Sequence, residues 1–304
     1  MAIVVKPFME RFGAEVSGVD ISRPLDAATA KEIVDIQNTW GVTVWRNTGL
    51  DDDSHVEFTR IFGDVIHAPP HKGPPRFSRP ELFDASNIDR EGNIIDDEMR
   101  RITNRGNRLW HIDSSFMTVR AAQSLLLCHE AAPHSAPTWF ADTRSAYEDL
   151  PQKMKDRIDG LQARHCYFWS RRKAGYPYTE EDIDAFQHAT HPLVNLHHGS
   201  GRKGLYVGAH ARDIVGMERD EGRDLLDELT AWVTQPQYIF AAEYQTGDMT
   251  IWDNLCCLHR AGDFDETLYR RDMRRTTVRD PQSPGAPGDV VQDMFRPAKD
   301  AAAS

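Results

Sequence analysis

The order of apolar and polar residues along the chain predicts short strands with amphipathic helices between them. Helical periodicity, together with capping and proline signals, predicts helices over 26–38, 52–62, 145–150, 151–159 and 218–233. Short apolar and β-branched runs predict strands within 13–25 and over 42–45, 124–129, 138–140, 204–208, 238–242, 249–252 and 273–278. Because we find no internal repeat and no domain boundary, we expect one α+β domain over 1–280, built around a β-sandwich or barrel.

Three stretches depart from this pattern. Prolines interrupt 67–80, which we interpret as a loop of the kind that forms lids or binding sites; it contains His71 and Lys72. A charged run over 89–105 continues this irregular region. The end of the chain, 281–304, is rich in proline, glycine and alanine, and we expect it to be disordered.

Composition narrows the classes of function. No run of 18 apolar residues indicates a membrane span, and no secretory signal is visible, so we expect a cytoplasmic protein. Four cysteines without CxxC spacing indicate reduced thiols rather than a disulfide framework. A net charge of −11 argues against nucleic acid as the main partner. It leaves room for a small anionic substrate, since a few arginines can dominate one pocket.

The candidate chemistry starts at Trp110-His111-Ile112-Asp113. In an extended segment side chains alternate faces, so His111 and Asp113 point the same way. A second histidine would complete the two-histidine, one-carboxylate set that leaves positions open on non-haem iron. His259, shortly after Trp252-Asp253-Asn254, is the candidate among 13 histidines. Two histidines and an aspartate also suit zinc, so a hydrolase remains an alternative.

A basic strand over 270–276 supplies a second signal. Period-two alternation places Arg271, Met273 and Arg275 on one face. The methionine suggests that this face points inward, where a guanidinium needs an anion. We expect the opposite face, with Arg270 and Arg274, to be a solvated basic surface.

These motifs resemble the taurine/2,4-dichlorophenoxyacetate dioxygenase family over about 13–278. The resemblance is nearest to the 2,4-dichlorophenoxyacetate branch, through the segments 199–203, 208–211 and 258–260. It implies a double-stranded β-helix, or jelly-roll, core with flanking helices. It also implies Fe(II) as the cofactor, with 2-oxoglutarate and O2 as cosubstrates. Members of that family commonly self-associate.

The resemblance also assigns roles to residues of this chain. His111, Asp113 and His259 would bind iron at the mouth of the barrel. Arg271 and Thr138 would bind the distal carboxylate of 2-oxoglutarate, with Asn87 near the cosubstrate.

For the primary substrate, the resemblance places Arg275 against the acidic group, and His71 or Lys72 would supply a further contact from the proline-rich loop. His210 and Arg212 are further candidates for a contact with the substrate. Each of these four has a solvated role as its alternative.

The expected reaction is hydroxylation of a small organic acid, with succinate and CO2 as products. An aryloxyalkanoate would be cleaved to a phenol and an oxo acid. The alternatives are an alkylsulfonate as substrate, or a metal-binding jelly-roll protein without oxygenase activity. Asp113 argues against a halogenase, because a halide needs the coordination position of that carboxylate.

Overall fold

The computed structural model describes residues 2–68, 76–97, 101, 104–133, 136–186 and 188–283. The proline-rich segment around His71 and Lys72 and nearly all of the predicted tail therefore lie outside the described residues. The prediction of a single domain over 1–280 stays a prediction.

Strands and helices alternate irregularly along the chain. The strands are β1 Val4–Pro7, β2 Ala14–Ser17, β3 Val42–Trp45, β4 Phe83–Asp84, β5 Ala121–Glu130, β6 Thr138–Asp142, β7 Gln162–His165, β8 Ala189–Pro192, β9 Val194–Leu196, β10 Lys203–Leu205, β11 Ala211–Ile214, β12 Ile239–Ala242, β13 Met249–Asp253, β14 Cys257–Ala261 and β15 Asp272–Arg279. The helices are α1 Ala27–Trp40, α2 Asp52–Thr59, α3 Thr143–Glu148, α4 Gln152–Ile158, α5 Tyr167–Lys173, α6 Glu180–Asp184 and α7 Arg219–Val233. Single 3-10 turns occur at Gly106–Arg108 and Pro236–Tyr238.

A large sheet and a smaller one enclose the site. The large sheet has the strand order β1-β2-β3-β13-β5-β15-β4, and the smaller one β12-β6-β14. Neighbouring strands are antiparallel except β2 and β3. One apolar cluster contains Leu126 and Trp252 of the large sheet together with Phe140 and Cys257 of the smaller one. The two sheets therefore pack face to face, as in a sandwich or a flattened barrel.

The predicted α1 illustrates how local sequence sets an element. Asp26 accepts a hydrogen bond from the Thr29 amide at 2.9 Å, which caps the first turn. Gly41 ends the helix with φ 70°, a conformation that favours glycine. The predicted helix and the strand β3 after it are confirmed.

Two predicted elements are shorter than expected. The predicted second helix ends at Thr59 rather than at 62, and the strand expected over 204–208 ends at Leu205. The early end of the strand at Leu205 results from a contact with a distant part of the chain. Gly208 has φ 110°, and a Cβ there would lie 2.9 Å from the carbonyl oxygen of Trp110. The chain bends at Gly208 so that its backbone can pass close to the His111 segment.

Other predictions concern chain-wide properties. All four cysteines are free and buried, as expected for reduced thiols. Within the described ranges, none of the helices combines the length and the apolar character that crossing a bilayer requires.

A buried histidine predicts acid sensitivity of the fold. Burial lowers the pKa of His55 from its usual value to about 3, whereas an unfolded histidine titrates near about 6.5. As the pH falls below about 6.5, His55 becomes protonated in the unfolded state but stays neutral in the folded state. The free energy of unfolding therefore decreases. We expect the Tm of the metal-free protein to be lower at pH 5.5 than at pH 8.

Two histidine variants test this cause. His55→Met should reduce the slope of Tm against pH, and His198→Met, at an exposed histidine, should leave the slope unchanged. A Tm that does not vary with pH, or a wild-type slope in His55→Met, would contradict the explanation.

Candidate metal centre

The two histidines are brought together by the backbone. His111 and His259 form an isolated antiparallel bridge, in which the His111 amide donates to the His259 carbonyl at 3.0 Å and the reverse bond is 2.9 Å. His259 lies on β14 of the smaller sheet. Their imidazole rings consequently lie side by side, with centroids 4.2 Å apart.

Asp113 completes a cluster of three buried ligands. The His111 Nε2 lies 4.0 Å from one Asp113 carboxylate oxygen, and the His259 Nε2 lies 3.7 Å from the other. One ligand atom from each residue lies within 4.8 Å of the other two. Two imidazole nitrogens and one carboxylate around a common point fit a non-haem iron centre. The three predicted ligands are thus placed together.

The protonation states suit metal binding. Burial lowers the pKa of His111, and the nearby Asp113 carboxylate only partly opposes this effect. Burial and the neighbouring His111 also lower the pKa of His259. Burial alone would raise the pKa of Asp113, but this effect is outweighed, chiefly by the charge of the Arg275 guanidinium, and the pKa lies well below its usual range. At neutral pH the site therefore offers two neutral imidazoles and one carboxylate, the forms that bind metal.

Hydrogen bonds fix the orientation of these ligands. The His111 Nδ1 lies 2.8 Å from the Leu109 carbonyl oxygen, so Nδ1 carries the proton and Nε2 remains free for a metal. The Asn254 amide donates to the Ser124 hydroxyl at 3.0 Å, and Ser124 donates to Asp113 at 2.8 Å. Asn254 also accepts from the Asp113 backbone amide at 3.1 Å. Asn254 and Ser124 together position the carboxylate.

Removal of the Ser124 hydroxyl should weaken metal binding without removing a ligand. Loss of an outer partner of a metal ligand typically costs about 10- to 100-fold in affinity. We expect Ser124→Ala to raise the Kd for Mn(II), measured by isothermal titration calorimetry, within that range. Ser22→Ala, at a surface hydroxyl bonded to Asp20, is the control. An unchanged Kd in Ser124→Ala would show that Asp113 needs no such support.

A second buried cluster does not offer free ligands. His197, Asp253 and Cys256 also lie close enough to hold an ion. However, the two His197 nitrogens already contact Asp253 at 3.0 Å and Ser200 at 2.7 Å. Burial raises the pKa of the Cys256 thiol well above its usual value, which disfavours the thiolate. This cluster is a structural hydrogen-bond network.

Arg271 has the surroundings of an anion-binding residue. Its guanidinium lies among the rings of Tyr244 and Phe264, at 6.0 and 5.8 Å from their centroids, and burial lowers its pKa. Within the described ranges, no carboxylate forms an ion pair with it. The Thr138 hydroxyl lines the same cavity and accepts a hydrogen bond from Tyr244 at 3.1 Å. A partly buried guanidinium without a carboxylate partner, in the same cavity as a hydroxyl, suits a bound carboxylate.

Asn87 positions Arg271 through the backbone. Its side-chain amide donates to the carbonyls of Glu266 and Tyr269 at 2.9 and 2.8 Å, and its oxygen accepts from the Arg271 amide at 2.8 Å. Both N–H groups of the side chain are therefore occupied by the chain itself. Contact between Asn87 and the cosubstrate stays a prediction.

Arg275 also lies in the cavity, but it has a partner. Its Nη1 donates to Asp113 at 2.5 Å, and its guanidinium lies over the Phe83 ring at 4.8 Å. The predicted alternation over 271–275 is confirmed, with Arg271 lying just before β15: both Arg271 and Arg275 line the cavity, and Met273 is buried.

The expectation of a solvated opposite face is wrong for Arg274. Its guanidinium donates to both carboxylate oxygens of Asp52 at 2.7 Å and to Asp272 at 3.0 Å. Arg76 also contacts Asp272, at 3.1 Å. Helix α2 carries Asp52 over this face, a tertiary contact that strand periodicity does not reveal. Arg270 behaves as expected, because it pairs with Glu130 at the surface.

The four further candidates for contact with the primary substrate lie in different environments. His71 and Lys72 lie outside the described residues. His210 lines the cavity, with its ring 5.8 Å from that of His111. Arg212 is buried and pairs with Glu180 and Asp184, and it is not part of the cavity lining. Its predicted alternatives, a substrate contact or a solvated position, are both wrong.

A single cavity of about 610 Å³ connects the metal ligands with both arginines. Aromatic side chains line part of it, at Phe83, Phe116, Tyr167, Trp252 and Phe264, together with many polar and charged groups. The volume, and the combination of aromatic surface with charged groups, suit a small organic molecule that carries an ionic group.

Sequence reasoning missed Arg171, which also lines this cavity. It lies in the basic run Arg171-Arg172-Lys173, within a part of the sequence that gave no regular pattern. Nothing in that run distinguishes the inward arginine from its neighbours. The hydrogen bond from Ser124 to Asp113 was not predicted either, because the sequence around Ser124 shows only the apolar pattern of a buried strand.

Comparisons with known proteins agree with this geometry. The model of the taurine catabolism dioxygenase TauD, TfdA family matches residues 5–277. The chain is 35% identical over 284 residues to the alpha-ketoglutarate-dependent 2,4-dichlorophenoxyacetate dioxygenase of Cupriavidus pinatubonensis, covering 92% of this chain and 99% of the relative. It is 31% identical to the (S)-phenoxypropionate/alpha-ketoglutarate-dioxygenase of Sphingobium herbicidovorans, covering 93% and 97%.

A solved structure extends the agreement to the fold. The crystal structure of AAD-2 in complex with Mn(II) and N-oxalylglycine is similar with a TM-score of 0.84 and 32% identity, over 94% of this chain and 100% of the other. The predicted jelly-roll core with flanking helices is confirmed by this similarity. The chain belongs to the taurine catabolism dioxygenase TauD, TfdA family and is an Fe(II)- and 2-oxoglutarate-dependent dioxygenase.

Proposed function

We propose that this dioxygenase hydroxylates an aryloxyalkanoate and cleaves it to a phenol and an oxo acid. The observation that carries the proposal is the composition of one cavity: a two-histidine, one-carboxylate cluster, the guanidinium groups of Arg271 and Arg275, and several aromatic side chains. A zinc hydrolase or a metal-binding jelly-roll protein without oxygenase activity needs no second anion site beside the metal. The named activities of the two enzyme relatives, on aryloxy acids, fit the aromatic lining.

In this proposal His111, Asp113 and His259 bind Fe(II), and Arg271 and Thr138 bind the distal carboxylate of 2-oxoglutarate. Arg271 suits this role because its positively charged guanidinium lies among aromatic rings. Within the described ranges it has no carboxylate partner. The Thr138 hydroxyl accepts from Tyr244 and can donate its own proton to a carboxylate oxygen.

Arg275 is proposed to contact the acidic group of the primary substrate. Only its Nη1 contacts Asp113, and its Nε is buried without a hydrogen-bond partner among the described residues. A buried N–H without a partner is costly, so an acceptor from the substrate would satisfy it. The aromatic side chains then hold the aryl group and exclude water around the reacting carbon.

When bound, iron and 2-oxoglutarate supply the oxidation, in which one oxygen atom of O2 enters succinate and the other enters the substrate. Hydroxylation of the carbon beside the ether oxygen gives a hemiacetal. Its C–O bond breaks and the hydroxyl proton passes to the ether oxygen, so that phenoxyacetate yields phenol and glyoxylate. The chain supplies orientation of that carbon through the arginines and the aromatic wall.

A substrate panel tests the proposal. The full-length protein with Fe(II), ascorbate, O2 and 2-oxoglutarate is given aryloxyacetates, 2-aryloxypropionates and alkylsulfonates. We expect succinate formation to be stimulated by the aryloxy acids, with equimolar release of a phenol. Stimulation by alkylsulfonates alone, with release of sulfite, would contradict the proposed substrate class and leave the dioxygenase itself intact.

A further inference from the structure

Arg171, on helix α5, is the most unusual charged residue of the cavity outside the roles proposed above. It is only 8% exposed, and its side chain lines the same cavity as His111 and Asp113. In the part of the chain that the structure describes, its guanidinium has no carboxylate partner, and its buried Nε has no hydrogen-bond partner. A buried cation without an anion is unfavourable, so the site is incomplete without a ligand.

Other arginines show how unusual this is. Arg144 and Arg212, which are even more deeply buried, each face carboxylates, Asp142 for the first and Glu180 with Asp184 for the second. Arg172, the next residue on the same helix, pairs with Glu180 at 2.6 Å. The protein thus supplies carboxylates to the neighbours of Arg171 and leaves this guanidinium open to the cavity.

The surroundings of Arg171 hold the guanidinium in place. It lies over the Tyr167 ring at 4.3 Å, a cation–π contact that partly offsets the loss of water. The guanidinium also lies against Gly106, where a Cβ would be only 1.7 Å from the Arg171 Nη1. Glycine at this position leaves the space that the guanidinium occupies.

The wall beside Arg171 is aromatic and leads to the metal ligands. The Tyr167 ring contacts Phe116 at 5.2 Å, Phe116 contacts His210 at 4.8 Å, and His210 contacts His111 at 5.8 Å between centroids. A ligand that combines an aromatic ring with an anionic group complements this wall and the guanidinium at its end.

We infer that Arg171 is a second anion-binding residue for the primary substrate, an aromatic acid whose carboxylate it contacts. The inference rests on the proposed function and deepens it. Arg275 shares its guanidinium with Asp113, whereas Arg171 has no carboxylate partner among the described residues and its guanidinium can bind the substrate anion. Arg171 on helix α5 and Arg275 on β15 would then both favour binding of acids over neutral analogues of the same shape.

Three variants test the inference with phenoxyacetate as the probe. Arg171→Met removes the charge and keeps much of the side-chain volume. Gly106→Ala keeps the charge and displaces the guanidinium. Arg172→Met is the matched control, because Arg172 faces Glu180. The readouts are the KM for phenoxyacetate, the KM for 2-oxoglutarate, and the visible band of the anaerobic complex with Fe(II) and 2-oxoglutarate.

We expect Arg171→Met to raise the KM for phenoxyacetate by about 10- to 100-fold, the range for a hydrogen bond to a charged group. Gly106→Ala should change it in the same direction. The anaerobic band and the KM for 2-oxoglutarate should remain close to wild type in both, and Arg172→Met should match wild type throughout. If Arg171→Met fails to fold, Gly106→Ala carries the test.

Several results would overturn the inference. A KM for phenoxyacetate within twofold of wild type in both variants would do so, as would equal increases of both KM values, which indicate a purely structural role. Equal use of phenoxyacetate and the neutral phenoxyethanol by the wild type would show that no anion is recognised. If the wild type accepts taurine and rejects phenoxyacetate, the proposed function fails, and the same comparison with taurine decides the role of Arg171.

Discussion

Replacement of Asp113 by alanine should abolish metal-dependent turnover of 2-oxoglutarate. Asp113 is the only carboxylate in the three-ligand cluster, and its charge lies between two imidazoles and the Arg275 guanidinium. Loss of a ligand should exceed the roughly 100-fold upper range for loss of an outer partner. We therefore expect the rate of succinate formation to fall by more than about 100-fold relative to wild type.

The assay for Asp113→Ala is succinate formation at saturating Fe(II), with Asp159→Ala, at an exposed position, as the control. Far-ultraviolet circular dichroism verifies that the variant is folded. A folded variant that keeps more than a tenth of the wild-type rate would contradict the assignment of Asp113 as a metal ligand.

Replacement of Arg271 by alanine should act mainly on 2-oxoglutarate. Truncation of one partner of a buried, hydrogen-bonded charge pair costs about 2–5 kcal/mol, which corresponds to roughly 30- to several-thousand-fold in affinity. We expect the KM for 2-oxoglutarate to rise within this range and the KM for the primary substrate to change much less. Arg271→Lys should recover only part of the loss, because lysine lacks the planar fork that matches a carboxylate.

The companion variants separate the roles of Arg271 and Arg275. Arg275→Ala should chiefly raise the KM for the primary substrate. Arg270→Ala, on the opposite face and paired with Glu130, should leave both constants unchanged. Equal effects of Arg271→Ala and Arg275→Ala on both ligands would contradict the division of roles.

Local patterns in the sequence predicted much of this structure because they reflect local physics. The Asp26 cap and Gly41 mark the ends of α1, and alternation over 271–275 places Arg271 and Arg275 on the inward face. The pairing of His111 with His259 needed the family resemblance, since the two residues are far apart in the sequence and meet only in the folded chain, where their backbones form a bridge.

Features that depend on tertiary packing were not predictable. Arg171 and Arg172 are adjacent and chemically identical in the sequence, but one faces the cavity and the other pairs with Glu180. The sequence predicted a solvated Arg274, whereas in the structure α2 places Asp52 against its guanidinium. Likewise, only the folded chain shows that Asn254 and Ser124 form a hydrogen-bonded path to Asp113.

If His111, Asp113 and His259 bind iron and Arg271 orients 2-oxoglutarate beside it, anaerobic titration of the metal-free protein with Fe(II) and then 2-oxoglutarate should produce a weak charge-transfer band in the visible. We expect this band to saturate with 2-oxoglutarate, to be absent in Asp113→Ala, and to require much more 2-oxoglutarate in Arg271→Ala. The absence of any band in the wild type, together with no substrate-dependent succinate formation in air, would contradict these assignments.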